Sequence, residues 1–177
     1  MTTIMGLDVS LVRTGVAVLS DGALIGTDVI QTDFKAARHA RLGQLLRRVI
    51  VMVRQYCPHI VVMETSGAWQ KLSRDSRVSV EALAEARGVV LAAIDWAMEH
   101  TCLNISVVER DCHEVRESIC ANRNASKQQV AENLRLRGYV LPVMRNGKVD
   151  YDVCDALACA LAVWCEQRLL AMKEGEK

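Results

Sequence analysis

An excess of one charge sign is what this chain most plainly lacks. Its 177 residues carry 22 lysines and arginines against 21 aspartates and glutamates, a formal +1. That balance gives the whole molecule no long-range pull on nucleic acid or a membrane surface, so any anion-binding face must come from local clustering. Proline is nearly absent, at two residues, and no linker, internal repeat or low-complexity tract interrupts the chain. Apolar runs are broken by charge before reaching the roughly 20 residues that a bilayer span needs. No signal peptide precedes the first strand. Cysteine is plentiful at seven, but the count is odd and no CxxC pair occurs. Cys112-His113 followed by Cys120 lacks a fourth ligand at zinc-site spacing. The thiols therefore read as small hydrophobes in a reducing cytoplasm.

What is there is globular: 51% apolar and 24% charged residues, over a length suited to one domain spanning 1–177. Residues 3–9 and 14–19 predict strands, and Asp21-Gly22 predicts a hairpin turn into a third strand at about 23–31. Between 34 and 56, Leu42, Leu45, Leu46, Val49, Ile50 and Val53 make one helical apolar stripe, with arginines 38, 41, 47, 48 and 54 as a solvated face. A buried strand follows at 59–65, then a loop at 66–77 and a helix at about 78–100. That helix is apolar on nearly every side, so it needs two partners, one of them expected to be a second copy of the chain. A fifth strand at 104–109 and helices at about 111–120, 126–138 and 151–172 complete the order βββ-α-β-α-β-α-α-α. This order implies an α/β fold with a mixed five-stranded sheet. Strands 1–3 form its antiparallel meander, strands 4 and 5 follow, and helices flank it.

Four acids sit where burial makes them conspicuous. YDVCDALACALAVW (151–164) reads as a buried helix, yet Asp152 and Asp155 share one face of its first turn. Asp8 ends the first strand between Leu7 and Val9, and Glu64 closes the apolar strand IVVMET. The carboxyl end of a buried strand is the usual place for a ligand site in an α/β sheet. Each acid has an ordinary alternative: Asp152 as an N-cap with Asp155 favoured by the helix dipole, Asp8 facing solvent, Glu64 paired with an arginine. One shared site is more economical than four separate explanations. Two unit charges about 4 Å apart repel by about 4 kcal/mol at an effective dielectric of 20. Several such pairs rival a domain's whole stability of roughly 5–15 kcal/mol. Divalent cations relieve that repulsion while leaving the acids ionised, and an all-oxygen ligand set points to Mg²⁺ or Mn²⁺.

The segments GLDVSLVRTGVAVL, VVMET, EALAEARGVVLAAI, NASKQQVAENL and DYDVCDALACALA, in this order, resemble the RuvC family of Holliday junction resolvases. The resemblance runs from Ile4 to about Trp164. It implies an RNase H-like fold and a homodimer that cuts four-way DNA junctions. It also implies that Asp8, Glu64, Asp152 and Asp155 are the catalytic, metal-binding acids and that Lys127 stands beside the scissile phosphate. Without it, Lys127 reads as a solvated residue after a Ser126 cap. Arg116 aligns with a second active-site lysine, for which it supplies charge but no exchangeable proton. The chain carries Val9-Ser10 where the family usually has Pro-Gly, which fits a divergent branch such as a viral one. Gly67 stands where the family tends to place a wedging aromatic; Trp69, two residues on, either takes that role or covers the core.

Lys71, Arg74 and Arg77 after the Glu64 strand, with Arg116, Arg123 and Lys127, form the expected sequence-independent phosphate contacts. The expected chemistry is two-metal hydrolysis with Asp8 bridging the ions, one ion activating water and the other stabilising the leaving oxygen, giving 5′-phosphate and 3′-hydroxyl ends. The expected partners are branched DNA and a second copy joined through the 78–100 helix, and no membrane. The expected setting is cytoplasmic and nucleoid-associated, or that of a viral protein in a bacterial host. Rival readings are a broader nuclease acting on flaps, forks and three-way junctions, an inactive junction-binding module, and an actin-like ATPase relative sharing the strand-one aspartate and glycine.

Overall fold

A computed structural model describes residues 1–65 and 74–175, with the side chains of 74–79 and 175 left aside. Five strands form one sheet: β1 (Thr3–Asp8), β2 (Arg13–Ser20), β3 (Ala23–Gln31), β4 (Ile60–Thr65) and β5 (Ser106–Asp111), in the order β3-β2-β1-β4-β5. β1 to β3 pair antiparallel, whereas β4 runs parallel to both β1 and β5. This is the mixed sheet that the element order implies. The β2–β3 hairpin turns on Asp21 and Gly22, at φ 46° and 84°. Two left-handed residues give the type of tight turn whose twist matches its strands.

Helices cover both faces. α1 (Arg38–Tyr56) and α2 (Arg74–Glu99) bury Leu45, Val49, Val53, Val90 and Ile94 against Met5, Val16, Val61 and Met63. On the other face α3 (Cys112–Cys120), α4 (Lys127–Leu136) and α5 (Tyr151–Gly175) pack Ile119, Leu134, Leu157 and Leu161 against Ile4, Ala17, Leu19 and Val62. From Val153 to Val163 every residue of α5 is buried, so α5 is the core helix of the second face.

The outline differs from expectation in four places, the first being α2, which starts at Arg74 rather than about 78 and so takes in the end of the expected loop. α1 starts at Arg38 rather than Phe34. Asp33 accepts the Lys35 and Ala36 N–H groups in a turn that leaves Phe34 exposed. β5 lies two residues later than its apolar run suggested, because pairing with β4 carries it on to Thr65↔Asp111. The α1 arginines are not simply solvated. Arg41 donates to the Leu11 carbonyl and to Thr32 Oγ1, Arg48 pairs with Asp28 at 2.8 Å, and Arg38 pairs with Glu85 at 2.6 Å.

α2 sorts its apolar residues into two faces. Ala86, Val90, Ala93, Ile94 and Ala97 are buried, whereas Ala84, Gly88, Leu91, Ala92 and Trp96 face outward. No helix among the described residues is long and apolar enough to cross a membrane.

Candidate active site

Backbone proximity positions the acids. Asp8, the last residue of β1, is in register with Gly15 of β2. A Cβ built on Gly15 would lie 2.1 Å from the Asp152 carbonyl oxygen, and one on Gly6 would lie 1.9 Å from that of Ala156. Only glycine lets the first turns of α5 lie on the sheet this closely. The helix therefore delivers Asp152 and Asp155 to the edge where β1 ends with Asp8 and β4 carries Glu64 one residue before its end. The loop after Asp8 is fixed by its own polar residues. Buried Thr14 accepts from the Ser10 N–H and donates to the Ser10 carbonyl at 2.7 Å, and Thr32 donates to Leu11 at 2.6 Å. Asp8, Glu64 and residues 9–12 line a cleft of about 390 Å³, closed on its far side by Ala82 and Leu83 of α2.

Electrostatics identify Asp8, Glu64 and Asp155 as one coupled group. Burial pushes Asp8 up to about 7, and the charges of Glu64, Asp155 and Asp152 push the same way against Lys127. Glu64 also rises to about 7, through burial first and then Asp155, with Lys127 and Arg116 opposing. Asp155 is raised as well, because burial outweighs its 2.5 Å ion pair with Lys127 Nζ. Burial pulls Lys127 down, but Asp155, Asp8 and Asp152 more than offset it and leave it raised. Beneath them the buried Cys159 thiol is held well above its ordinary range by burial and by the same acids.

Asp152 is handled differently. It ion-pairs with Arg13 at the start of β2, and Arg13 also grips Asp150 with both guanidinium nitrogens. Asp150, not Asp152, occupies the N-cap position of α5: its carbonyl accepts from Cys154 N–H at 3.1 Å. Arg13, aided by the Val153 and Asp152 N–H groups, holds Asp150 below the usual carboxylate range. Neither Arg13 nor Asp150 stood out in the sequence. An aspartate immediately before a buried helix is a capping signal that pointed to Asp150, whereas nothing local links Arg13 to a residue 137 positions away.

The cationic residues divide. Lys127 begins α4, held there by a capping box between Ser126 and Gln129. The cap and the contact with Asp155 are thus two parts of one arrangement. Arg116 of α3 lies near enough to draw Glu64 and Asp155 down. Arg123 is exposed, and its carbonyl accepts from His113 Nδ1 at 2.8 Å. Arg74 and Arg77 fall on the first turn of α2. Trp69 and Lys71 lie outside the described residues.

The donors suit a hard divalent cation: they are carboxylate oxygens, and burial, then the neighbouring acids, hold two of them at about 7 despite Lys127 and Arg116. Among the described residues, the group bringing three Asp, Glu, Cys or His ligand atoms within 4.8 Å of one another is Asp111, Cys112 and His113 instead. Asp111 caps α3 by accepting the His113 N–H at 2.8 Å, so part of that trio has a structural task.

Comparison with known proteins agrees with this fold. The family model for crossover junction endodeoxyribonuclease RuvC matches residues 4–163. A RuvC from Ehrlichia canis is 32% identical over 161 residues, covering 89% of this chain and 93% of that protein. One from Hyphomonas neptunium is 28% identical, covering 97% and 95%. Among solved structures, Thermus thermophilus RuvC in complex with a Holliday junction substrate superposes with a TM-score of 0.77 at 21% identity, over 96% of each chain. The yeast mitochondrial Holliday junction resolvase gives 0.62 at 11% identity, over 94% of this chain and 80% of that one. With the family model matched over residues 4–163 and a relative 32% identical, the chain belongs to the RuvC family of crossover junction endodeoxyribonucleases.

Proposed function

We propose that this protein resolves four-way DNA junctions by metal-dependent phosphodiester hydrolysis, leaving 5′-phosphate and 3′-hydroxyl ends. The observation that carries this reading is the coupling of Asp8, Glu64 and Asp155, acids from three remote segments, with Lys127 paired to Asp155 and with Asp8 and Glu64 lining the cleft. Asp8, Glu64, Asp152 and Asp155 would hold two Mg²⁺ or Mn²⁺ ions. When bound, such ions supply Lewis-acid activation of water and charge stabilisation at the leaving 3′ oxygen. Lys127, oriented by Asp155, offsets negative charge developing on the attacked phosphate. Arg116 contributes charge alone. Arg123, with Lys71, Arg74, Arg77 and Trp69 from the segment after β4, extends the DNA path through contacts that weaken as salt rises.

Resolution needs two cuts, hence two copies. The outward face of α2 suits the second copy: Ala84, Gly88, Leu91, Ala92 and Trp96 are exposed, and a Cβ on Gly88 meets nothing within 4 Å. Nothing inside the described chain requires glycine there, whereas a closely crossing partner helix does.

The test is a cleavage panel of four-way, three-way, flap and linear duplex DNA in Mg²⁺ and Mn²⁺. Symmetric, religatable nicks in the four-way junction are expected. Equal cutting of flaps and three-way junctions would favour the broader branched-DNA nuclease, and tight binding without nicking would favour an inactive binding module.

A further inference from the structure

Asp152 is the acid that the coupled group does not hold, and the residues that do hold it have had no role so far. Arg13 donates from Nη1 to Asp150 Oδ1 at 2.9 Å, pairs through Nη2 with Asp150 Oδ2, and reaches Asp152 Oδ2 with the same Nη1. Asp150 is 5% exposed and fixed at the N-cap of α5, so the guanidinium is anchored at one end to a buried, immobile carboxylate. A planar fork bound on two edges has little rotational freedom. The Asp152 backbone is pinned as well, since it lies against Gly15, two residues along β2 from Arg13. Asp152 Oδ1 has no partner among the described residues.

We propose that Asp150 and Arg13 are positioning residues that clasp Asp152 by one oxygen and present the other to the active-site cation. This rests on the metal-binding reading of the site and adds a chain of command to it: Asp150 orients Arg13, and Arg13 orients Asp152. Outer partners of this kind fix a ligand's direction before the ion arrives, and their loss commonly costs about 10–100-fold in metal affinity. A clip that served only to fasten α5 to β2 would change unfolding temperature and leave ion affinity alone.

The test is Mn²⁺ binding to the DNA-free protein, followed by electron paramagnetic resonance, with thermal unfolding in parallel. Asp150→Asn keeps a residue equally suited to the N-cap but removes the charge that anchors the fork. Arg13→Lys keeps the positive charge but cannot span two carboxylates. Each is expected to weaken Mn²⁺ binding by about 10–100-fold. The double variant should lose no more than the weaker-binding single, because both act through one path. Wild-type affinity in both singles, or losses that add in the double, would overturn the proposal. If Asp150→Asn fails to fold, Arg13→Lys decides alone. Asp8→Asn is the reference: if it abolishes Mn²⁺ binding while the clasp variants leave binding intact, only the clasp is wrong. If wild-type protein takes up no Mn²⁺, the clasp and the metal reading fall together.

Discussion

The four acids form two unlike pairs. Asp8 and Glu64 come from adjacent parallel strands, are half-buried, and among the described residues have no ion-pair partner. Asp152 and Asp155 come from one helical turn, and each leans on a cation, Arg13 or Lys127. Lys127 and Arg116 act on the inner pair without an ion pair, so burial and the neighbouring acids still leave Asp8 and Glu64 raised. A helix N-terminus at the sheet edge is open to residues from β2 and α4. The inner pair is thus poised for an external countercharge, whereas each acid of the outer pair already has a cation, Asp152 half-buried on Arg13 and Asp155 buried on Lys127.

That contrast is sharpest for Asp8→Asn. Cleavage is expected to fall by on the order of a thousandfold or more while junction affinity measured in Ca²⁺ is retained. Equal loss of binding and cutting would contradict a primarily chemical role. Lys127→Ala tests the outer pair: a cleavage loss on the order of a hundredfold is expected, with Asp155 left as an unpaired buried acid and unfolding shifted to lower temperature. Gly15→Ala strikes the junction of the two pairs. Its added methyl collides with the Asp152 carbonyl, so a stability loss of about 1–3 kcal/mol should accompany reduced cleavage as α5 moves off the sheet. An unchanged unfolding temperature would mean that the helix is not seated there.

The pH dependence of stability separates the pairs more gently. Asp8 and Glu64 have folded values near 7, above their ordinary 3.8 and 4.5. Groups raised in this way stabilise fully below the unfolded value and lose that contribution as pH rises through the folded one. In chelator the unfolding temperature should therefore drop between about pH 4 and pH 7. Mg²⁺ should restore it, and Asp8→Asn should flatten the drop. The smallest effect on chemistry is expected at α2. Gly88→Glu should convert a dimer to monomers in light scattering with the fold intact, and a dimer that survives would place the interface elsewhere.

Much of this was legible because it is local. Apolar alternation and Asp21-Gly22 give the meander, and an acid closing each of two buried strands gives Asp8 and Glu64. Lys127 was readable only through the resemblance, since a residue after a Ser126 cap is ordinarily solvated. What stayed hidden was long-range. β5 ends where pairing with β4 takes it, not where its apolar run stops. The Arg13 clasp depends on an approach of β2 to α5 that no periodicity encodes. Asp150 was the exception, an N-cap aspartate overlooked beside two acids that looked more chemical.

The most direct measurement is an anomalous difference map from crystals grown with Mn²⁺. Density between the carboxylates of Asp8, Glu64 and Asp155, with Asp152 turned toward it, is the expected result. Density confined to Asp111, Cys112 and His113, with none at Asp8, would contradict the claim that divalent cations balance the inner acids.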